Sequence, residues 1–195
     1  MRSRQPIHKT STCGTPVCVL SLWLAVCASP CAWSQAEQTV QYPLKLAYIY
    51  NVTKFVEWPK EAFSSSSSPL VICIAGRDPF PADAEHELRS RTSGGRPIDV
   101  RKITTRDNPG VCQIVFISDA EQKNAAGMLA SAENTSALTI GESQGFAEQG
   151  GVVNLVIQNA KIRFEINTGA AVHKGLIISF RLLALATIVR DRGTR

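Results

Sequence analysis

The run Leu70-Val71-Ile72-Cys73-Ile74-Ala75 (LVICIA) sets the fold class of this chain. The six apolar residues are too few for an ordinary helix and lack the polar alternation of a half-exposed strand. Such a run is typical of a strand covered on both faces, as in parallel sheets flanked by helices. The stretch 111–117 (VCQIVFI) has the same character and predicts a second buried strand.

The segments around these two strands alternate between helix and strand patterns. Asp78 and Pro79 predict the start of a helix that continues to Arg89, and 97–103 (PIDVRKI) alternates as a strand. Ser118, with Glu121 three residues later, predicts a capping box and a helix through 130. A strand over 136–140 follows. This order predicts a mainly parallel sheet with helical crossovers.

Both ends of the domain add further elements. Helical spacing and the pair Trp58-Pro59 predict a helix over 44–58. Strands over 152–158 and 161–167, separated by two residues, predict a β-hairpin. We expect Thr168 to cap a short helix and a last helix to run over 179–191. The predicted fold is α/β, with a mainly parallel central sheet, helices on both faces, and a C-terminal β-hairpin plus helices.

The first 36 residues have the three parts of a secretory signal peptide. Arg2, Arg4 and Lys9 form a basic start, and the apolar run 17–28 is shorter than the ~20 residues that cross a bilayer. Ser34-Gln35-Ala36 fits the small-x-small rule for cleavage. A loose likeness of 24–27 (LAVC) to a lipoprotein box leaves a lipid anchor as the alternative. We expect cleavage after 36 and export to the periplasm.

Residues 37–195 then form the mature chain, whose length suits one domain. The signal holds three of the 21 basic residues and none of the 16 acidic ones, so the mature chain carries 18 against 16. This near-neutral balance lacks the basic face that nucleic-acid binding requires. We therefore expect a single periplasmic domain that does not bind nucleic acid.

Only two of the six cysteines, Cys73 and Cys112, lie outside the predicted signal. Two cysteines in an exported chain are a candidate disulfide, and the alternative is a pair of buried free thiols. Both lie in the predicted buried strands. A bridge therefore requires those strands to be neighbours with the two Cα atoms within about 7 Å.

The mature chain shows no pattern that predicts catalysis or a cofactor. It has no G-x-S-x-G elbow, no phosphate-binding loop and no spaced cluster of metal-ligating residues. Its two histidines, His86 and His173, stand among charged or small residues, as surface histidines do. We expect a protein that is not an enzyme and has no cofactor.

Two segments offer candidate binding residues. Four aromatic residues fall in the window 48–58, where the ordinary interpretation is core and the alternative is a partner surface. In the strand 161–167 (KIRFEIN), Glu165 and Asn167 share one face with two basic residues. That face is either solvated or a recognition strip.

Four stretches together resemble the YfiR family of periplasmic proteins. These are 54–59 (KFVEWP), 145–151 (GFAEQGG), 161–167 (KIRFEIN) and 184–191 (ALATIVRD), in the order in which the family has them. The likeness covers nearly all of the mature chain. It implies an α/β sandwich, generally a homodimer, with Cys73 and Cys112 where the family has a bridged pair. Some members have a second pair near the glycine loop, which this sequence lacks.

The resemblance implies regulation rather than catalysis. The best-known member represses an inner-membrane diguanylate cyclase by binding its periplasmic sensor domain, which lowers cyclic di-GMP and with it biofilm and exopolysaccharide output. An OmpA-like outer-membrane lipoprotein captures that repressor and relieves the inhibition. Our candidate partner-binding residues are Phe55, Trp58, Phe146, Glu165 and Asn167. The alternatives are a periplasmic small-ligand-binding protein and a partner of another membrane sensor, such as a histidine kinase.

Overall fold

A computed structural model describes residues 31–104 and 106–192, with side chains from Gln41 onward. Residues 1–30 of the predicted signal peptide lie outside the described residues, and 31–36 belong to the first helix. The helices are α1 (Cys31–Val52), α2 (Ala82–Arg89), α3 (Gln122–Ala132), α4 (Thr168–His173) and α5 (Phe180–Leu183). The strands are β1 (Val56–Glu57), β2 (Leu70–Ala75), β3 (Thr92–Ser93), β4 (Arg96–Ile103), β5 (Ile114–Ile117), β6 (Leu138–Gly141), β7 (Val153–Gln158), β8 (Lys161–Asn167), β9 (Ile177–Ile178) and β10 (Ala186–Val189).

Eight strands form one sheet in the order β10-β8-β7-β6-β5-β2-β4-β3. Neighbouring strands are parallel except in the β7–β8 hairpin and the short β3–β4 pair. β1 and β9 pair antiparallel outside this sheet. The predicted fold class, a mainly parallel α/β sheet with a C-terminal hairpin, is confirmed.

The alternation of side chains along β2 explains why its sequence is apolar throughout. Ile72 and Ile74 belong to a core cluster with side chains of α1 and α2. Val71, Cys73 and Ala75 belong to a second cluster with side chains of α3. Because successive side chains of a strand point to opposite faces, a strand covered on both sides needs an apolar residue at every position.

The N-terminal helix ends six residues earlier than its periodicity predicts. α1 stops at Val52, and Val56 and Glu57 pair instead with Ile178 and Ile177 of β9. The indole N–H of Trp58 donates to the carbonyl of Gln113 at 3.0 Å. These contacts to distant segments outweigh the local helical pattern, so Phe55 and Trp58 lie outside the helix.

The predicted C-terminal helix over 179–191 is wrong. The segment forms the single turn of α5 and then β10, which runs parallel to β8. Thr187, Ile188 and Val189 are β-branched, which favours a strand. The open side of the hairpin strand β8 supplies the backbone partners that a strand needs.

Several predicted element ends also shift, because capping bonds form elsewhere. Asn167, not Thr168, caps α4 and accepts a hydrogen bond from the N–H of Ala170 at 2.9 Å. No capping box forms at Ser118, since Glu121 accepts from the N–H of Arg77 instead. α2 begins at 82 rather than 78, and β5 begins at 114 rather than 111.

A buried ion pair fastens α1 to the carboxyl end of β6. Lys45 donates to Glu142, and both side chains are less than a tenth exposed. Glu142 also accepts from the hydroxyl of Tyr42 at 3.2 Å and from the N–H of Asp119 at 2.9 Å. Burial and the neighbouring Glu142 carboxylate raise the pKa of Tyr42 to about 12. The helix is therefore held by polar bonds as well as by its apolar side chains.

A second group of buried charges lies at the start of α2. Glu85 is 8% exposed, and Asp78 lies 2.8 Å from the ammonium of Lys102. Burial, together with the hydrogen bond and negative charge of Asp78, raises the pKa of Glu85 to about 7. Although burial opposes it, hydrogen bonds from Glu85 and Lys102 lower the pKa of Asp78. The proton of this pair therefore resides on Glu85, which loses it as pH rises through about 7.

Glu85→Gln should therefore flatten the pH dependence of stability. The carboxyl binds its proton more tightly folded than unfolded, so its contribution is complete below its ordinary pKa of 4.5 and is lost as pH rises through about 7. At about 1.4 kcal/mol per pKa unit, the wild type should lose up to about 3 kcal/mol relative to the variant across this window. Urea unfolding from pH 4.5 to 8 measures the difference, with the exposed neighbour Glu87→Gln as control. Parallel curves for Glu85→Gln and wild type would contradict it.

A candidate partner-binding surface

Five large apolar side chains are exposed near the C-terminal end of the chain, and we call them the C-terminal apolar surface. They are between 49% and 76% exposed: Val172, Ile177, Phe180, Leu185 and Ile188. Four of them come from α4, β9, α5 and β10, and Leu185 lies between α5 and β10. α4 contacts β9, and α5 contacts β10. Monomeric proteins rarely expose a large apolar patch unless it has a binding role.

The local structure explains why these side chains reach solvent. α5 is a single turn, so it can bury only Leu182 fully against the sheet, and Phe180 points outward. β10 is an edge strand, and among the described residues no strand pairs with its outer side. A continuous helix, as the sequence predicted, would have buried an apolar stripe here.

Phe55 and Trp58 lie beside this surface. The carbonyl of Phe55 accepts a hydrogen bond from the N–H of Ser179 at 2.8 Å, next to Phe180. β1, between Phe55 and Trp58, pairs with β9, which carries Ile177. Both aromatic side chains are partly buried against the core, so each can present only part of its ring to a partner.

Glu165 stands on β8 level with Thr187 of the edge strand. It is partly exposed, and its carboxylate accepts from the side-chain amide of Asn154 at 3.0 Å. The structure therefore brings Phe55 and Trp58 together on the face of the sheet that carries Ile166 and Ile188. Glu165 shares the opposite face with Thr187, so it does not join them.

The structure corrects the assignment of Phe146 and Asn167 to the surface. Phe146 is 1% exposed and belongs to the core cluster under α3. A Cβ atom on Gly141 or Gly151 would come within 2.3 or 2.1 Å of its ring, so the two glycines form the slot that holds it.

Asn167 is 1% exposed, and all its polar atoms are bonded. Its side-chain amide donates to Ala147 and Asp191, and its oxygen caps α4 through Ala170. These bonds join the glycine loop, α4 and the end of the chain. Asn167 therefore connects these segments from inside the protein and does not itself contact a partner.

The C-terminal apolar surface itself was missed from the sequence. Phe180 and Leu185 fall within the helix predicted over 179–191, in which most apolar residues would be core. The available signal was the β-branched run 187–189, which favours a strand over a helix. Nothing in the local pattern indicated that the strand would form an edge.

Two clefts are large enough to hold a small molecule. One of about 600 Å³ lies between α1 and the β7–β8 hairpin, lined by Leu44, Tyr48, Ile157 and Ile162. The other, of about 650 Å³, lies between α3 and α4 and includes Lys174. Burial lowers the pKa of Lys174, whose ammonium donates to the carbonyl of Ala132. Both clefts have the size of small-molecule sites.

Cys73 and Cys112 are joined by a disulfide on the α3 side of the sheet, with Cα atoms 5.8 Å apart. Cys73 lies on β2, and Cys112 comes just before the neighbouring strand β5 rather than within it. The N–H of Gln113 donates to the carbonyl of Val71, which keeps the two segments adjacent. The geometric requirement derived from the sequence is met.

The fold and this surface define a mostly parallel α/β domain with an exposed apolar edge. The chain belongs to the YfiR/HmsC-like family, whose sequence model matches residues 42–187. This confirms the resemblance seen in the sequence. The family is periplasmic, regulatory and non-catalytic, and membership points to regulation of diguanylate cyclase signalling.

A solved structure shows similarity in fold. A conserved domain protein from Vibrio cholerae O1 biovar El Tor strain N16961 matches with a TM-score of 0.53 and 15% identity, over 75% of this chain and 59% of that one. The ABC domain in complex with L-Trp from Streptococcus pneumonia matches with a TM-score of 0.47 and 10% identity, over 66% of this chain and 57% of that one. This chain thus spans less than two thirds of either. No curated protein sequence matches it.

Within 31–104 and 106–192, no helix is both long and apolar enough to span a bilayer. In the same part of the chain, no group of three or more histidine, cysteine or acidic residues is arranged to hold a metal ion.

Proposed function

We propose that this protein is a non-enzymatic periplasmic regulator that binds the periplasmic sensor domain of an inner-membrane diguanylate cyclase and represses it. Repression lowers cyclic di-GMP and, through it, biofilm and exopolysaccharide output. Membership of the YfiR/HmsC-like family supports the signalling pathway. The observation that carries the proposal is the C-terminal apolar surface, because such a surface suits binding to another protein.

The mechanism is stoichiometric. The repressor binds the inactive state of the sensor domain more tightly than the active state, and it can shift the equilibrium only by that difference in affinity. A shift of the sensor domain from about 99% active to about 99% inactive requires a ~10⁴-fold preference of the repressor for the inactive state. Large aromatic side chains supply much of the energy at protein interfaces. Phe180 is accordingly the main contact, with Trp58 and Phe55 at its border and Glu165 as a separate contact on the other face of the edge.

Deletion of the gene should raise cellular cyclic di-GMP, and a plasmid copy should reverse the rise. Phe180→Ser should fail to reverse it, because losing an exposed aromatic contact at an interface centre weakens binding by tenfold or more. Val111→Ser is the matched control, since Val111 is 53% exposed and lies away from the C-terminal apolar surface. Cyclic di-GMP extracted from cells and binding of the purified sensor domain are the two measurements. Unchanged cyclic di-GMP on deletion would overturn the proposed function.

Two further partners follow from the same proposal. An OmpA-like outer-membrane lipoprotein would relieve repression by competing for the C-terminal apolar surface. A second copy of the chain would form a homodimer, for which light scattering of the purified protein is the test. If the repressor bound the lipoprotein and the sensor domain at the same time, the proposed competition would be wrong.

The cleft between α1 and the hairpin favours one alternative function. Its volume of about 600 Å³ and its lining of Leu44, Tyr48, Ile157 and Ile162 suit a small apolar ligand. A small-ligand-binding protein would be expected beside a transporter gene, and a partner of another sensor beside a histidine kinase gene. A neighbouring gene for a membrane cyclase would favour the regulator.

A further inference from the structure

We infer that β10 accepts an extended acidic segment of the partner by strand addition, which would extend the eight-stranded sheet. This inference rests on the proposed function and specifies the chemistry of the partner. β10 has one side paired with β8, and no described strand pairs with its other side. Alternate N–H and C=O groups of such an edge point outward and can bond to an added strand.

The edge lacks the features that normally prevent strand addition. Proteins protect an exposed edge with a charge, a proline or a bulge within the strand. The stretch 185–189 (LATIV) has no charged residue and no proline, and Thr187 and Ile188 are exposed. Its register with β8 is continuous from Ala186 to Val189, without a bulge. The edge is therefore short but open.

The charges around the edge indicate an acidic occupant. Residues 161–192 contain six basic side chains and two acidic ones, and of the basic ones Lys174 is buried and Arg192 pairs with Glu148. The acidic ones, Glu165 and Asp191, already accept bonds from the buried amides of Asn154 and Asn167. Arg181 and Arg190 flank the edge, are exposed, and form no salt bridge with a described residue. Complementary charge would orient an acidic segment and speed its encounter.

The apolar side chains near the edge set the pattern of that segment. Ile188 is 49% exposed and Leu185 is 71% exposed. Side chains of an added strand alternate between the two faces of the sheet. Leu185 precedes β10 and is an odd number of positions from Ile188, so the two do not share a face of the strand. The segment that fits best therefore has apolar residues on the face of Ile188, and its acidic residues pair with the two arginines.

The test uses two synthetic nine-residue peptides and the full exported chain. One peptide alternates valine with glutamate, and the other has lysine at each glutamate position. We expect the acidic peptide to bind at least tenfold more tightly, by fluorescence anisotropy, and to slow hydrogen exchange at 186–189. The double variant Arg181→Glu, Arg190→Glu should lose this preference. Arg106→Glu, an exposed charge reversal just after β4, should keep it.

Three results would overturn strand addition: equal binding of the two peptides, no binding of either, or slowed hydrogen exchange only at residues outside β10. If hydrogen exchange at β10 slowed with rising protein concentration in the absence of peptide, a second copy would occupy the edge. That result would also overturn strand addition by the partner. Binding of the acidic peptide combined with no binding of the cyclase sensor domain would keep strand addition and reject the proposed function.

Discussion

Replacing Phe146 by alanine is expected to lower the free energy of unfolding by about 3–5 kcal/mol, the usual cost of removing a fully buried phenylalanine. The ring is 1% exposed and lies in the cluster under α3 with Met128 and the disulfide. The slot between Gly141 and Gly151 holds it from both sides. Because these backbones are parts of a strand and a closed loop, the cavity cannot collapse easily. Urea unfolding measures the loss.

The matched control is Phe180→Ala, which removes a phenylalanine that is 76% exposed. It should change stability by no more than about 0.5 kcal/mol, as surface substitutions do, while weakening partner binding. Phe146→Ala should do the reverse and bind the sensor domain normally at temperatures where it stays folded. Loss of binding in a fully folded Phe146→Ala protein would show that this ring does contact the partner.

Removing the disulfide is expected to have an effect of similar size. The bond closes a loop with a sequence separation of 39, for which the chain-entropy model predicts about 4 kcal/mol. Both cysteines are at least 97% buried, so the double variant Cys73→Ala, Cys112→Ala also loses a little packing. Its urea midpoint should fall well below that of the exported wild type. The wild type treated with reductant while unfolded should fall by a similar amount.

Thiol titration separates this result from the free-thiol alternative. The exported mature protein, unfolded without reductant, should show no reactive thiol if the bridge forms in the periplasm. Two reactive thiols at 73 and 112, with a urea midpoint that reductant does not change, would contradict the disulfide. The other four cysteines belong to the predicted signal peptide and would be absent from a chain cleaved after 36.

The burial of the two aromatic residues Phe146 and Phe180 could not be predicted from the sequence. The residues next to each ring do not distinguish a buried ring from an exposed one. Phe146 is predicted as a partner-binding residue but is buried in the core, whereas Phe180 falls in the predicted last helix and is 76% exposed. Their burial depends on which distant segment covers them, and that information is not local.

The continuous apolar runs at β2 and β5 are enough to predict the central sheet, because burial on both faces demands them. The hairpin, the family and the two cysteines available for a bridge also follow from the sequence. The end of α1 at Val52 and the edge strand at 186–189 depend on the tertiary structure. In both places, backbone pairing with a segment far along the chain outweighs a helical pattern worth only tenths of a kcal/mol per residue. The candidate binding surface arises from this pairing, so it could be recognised only in the folded molecule.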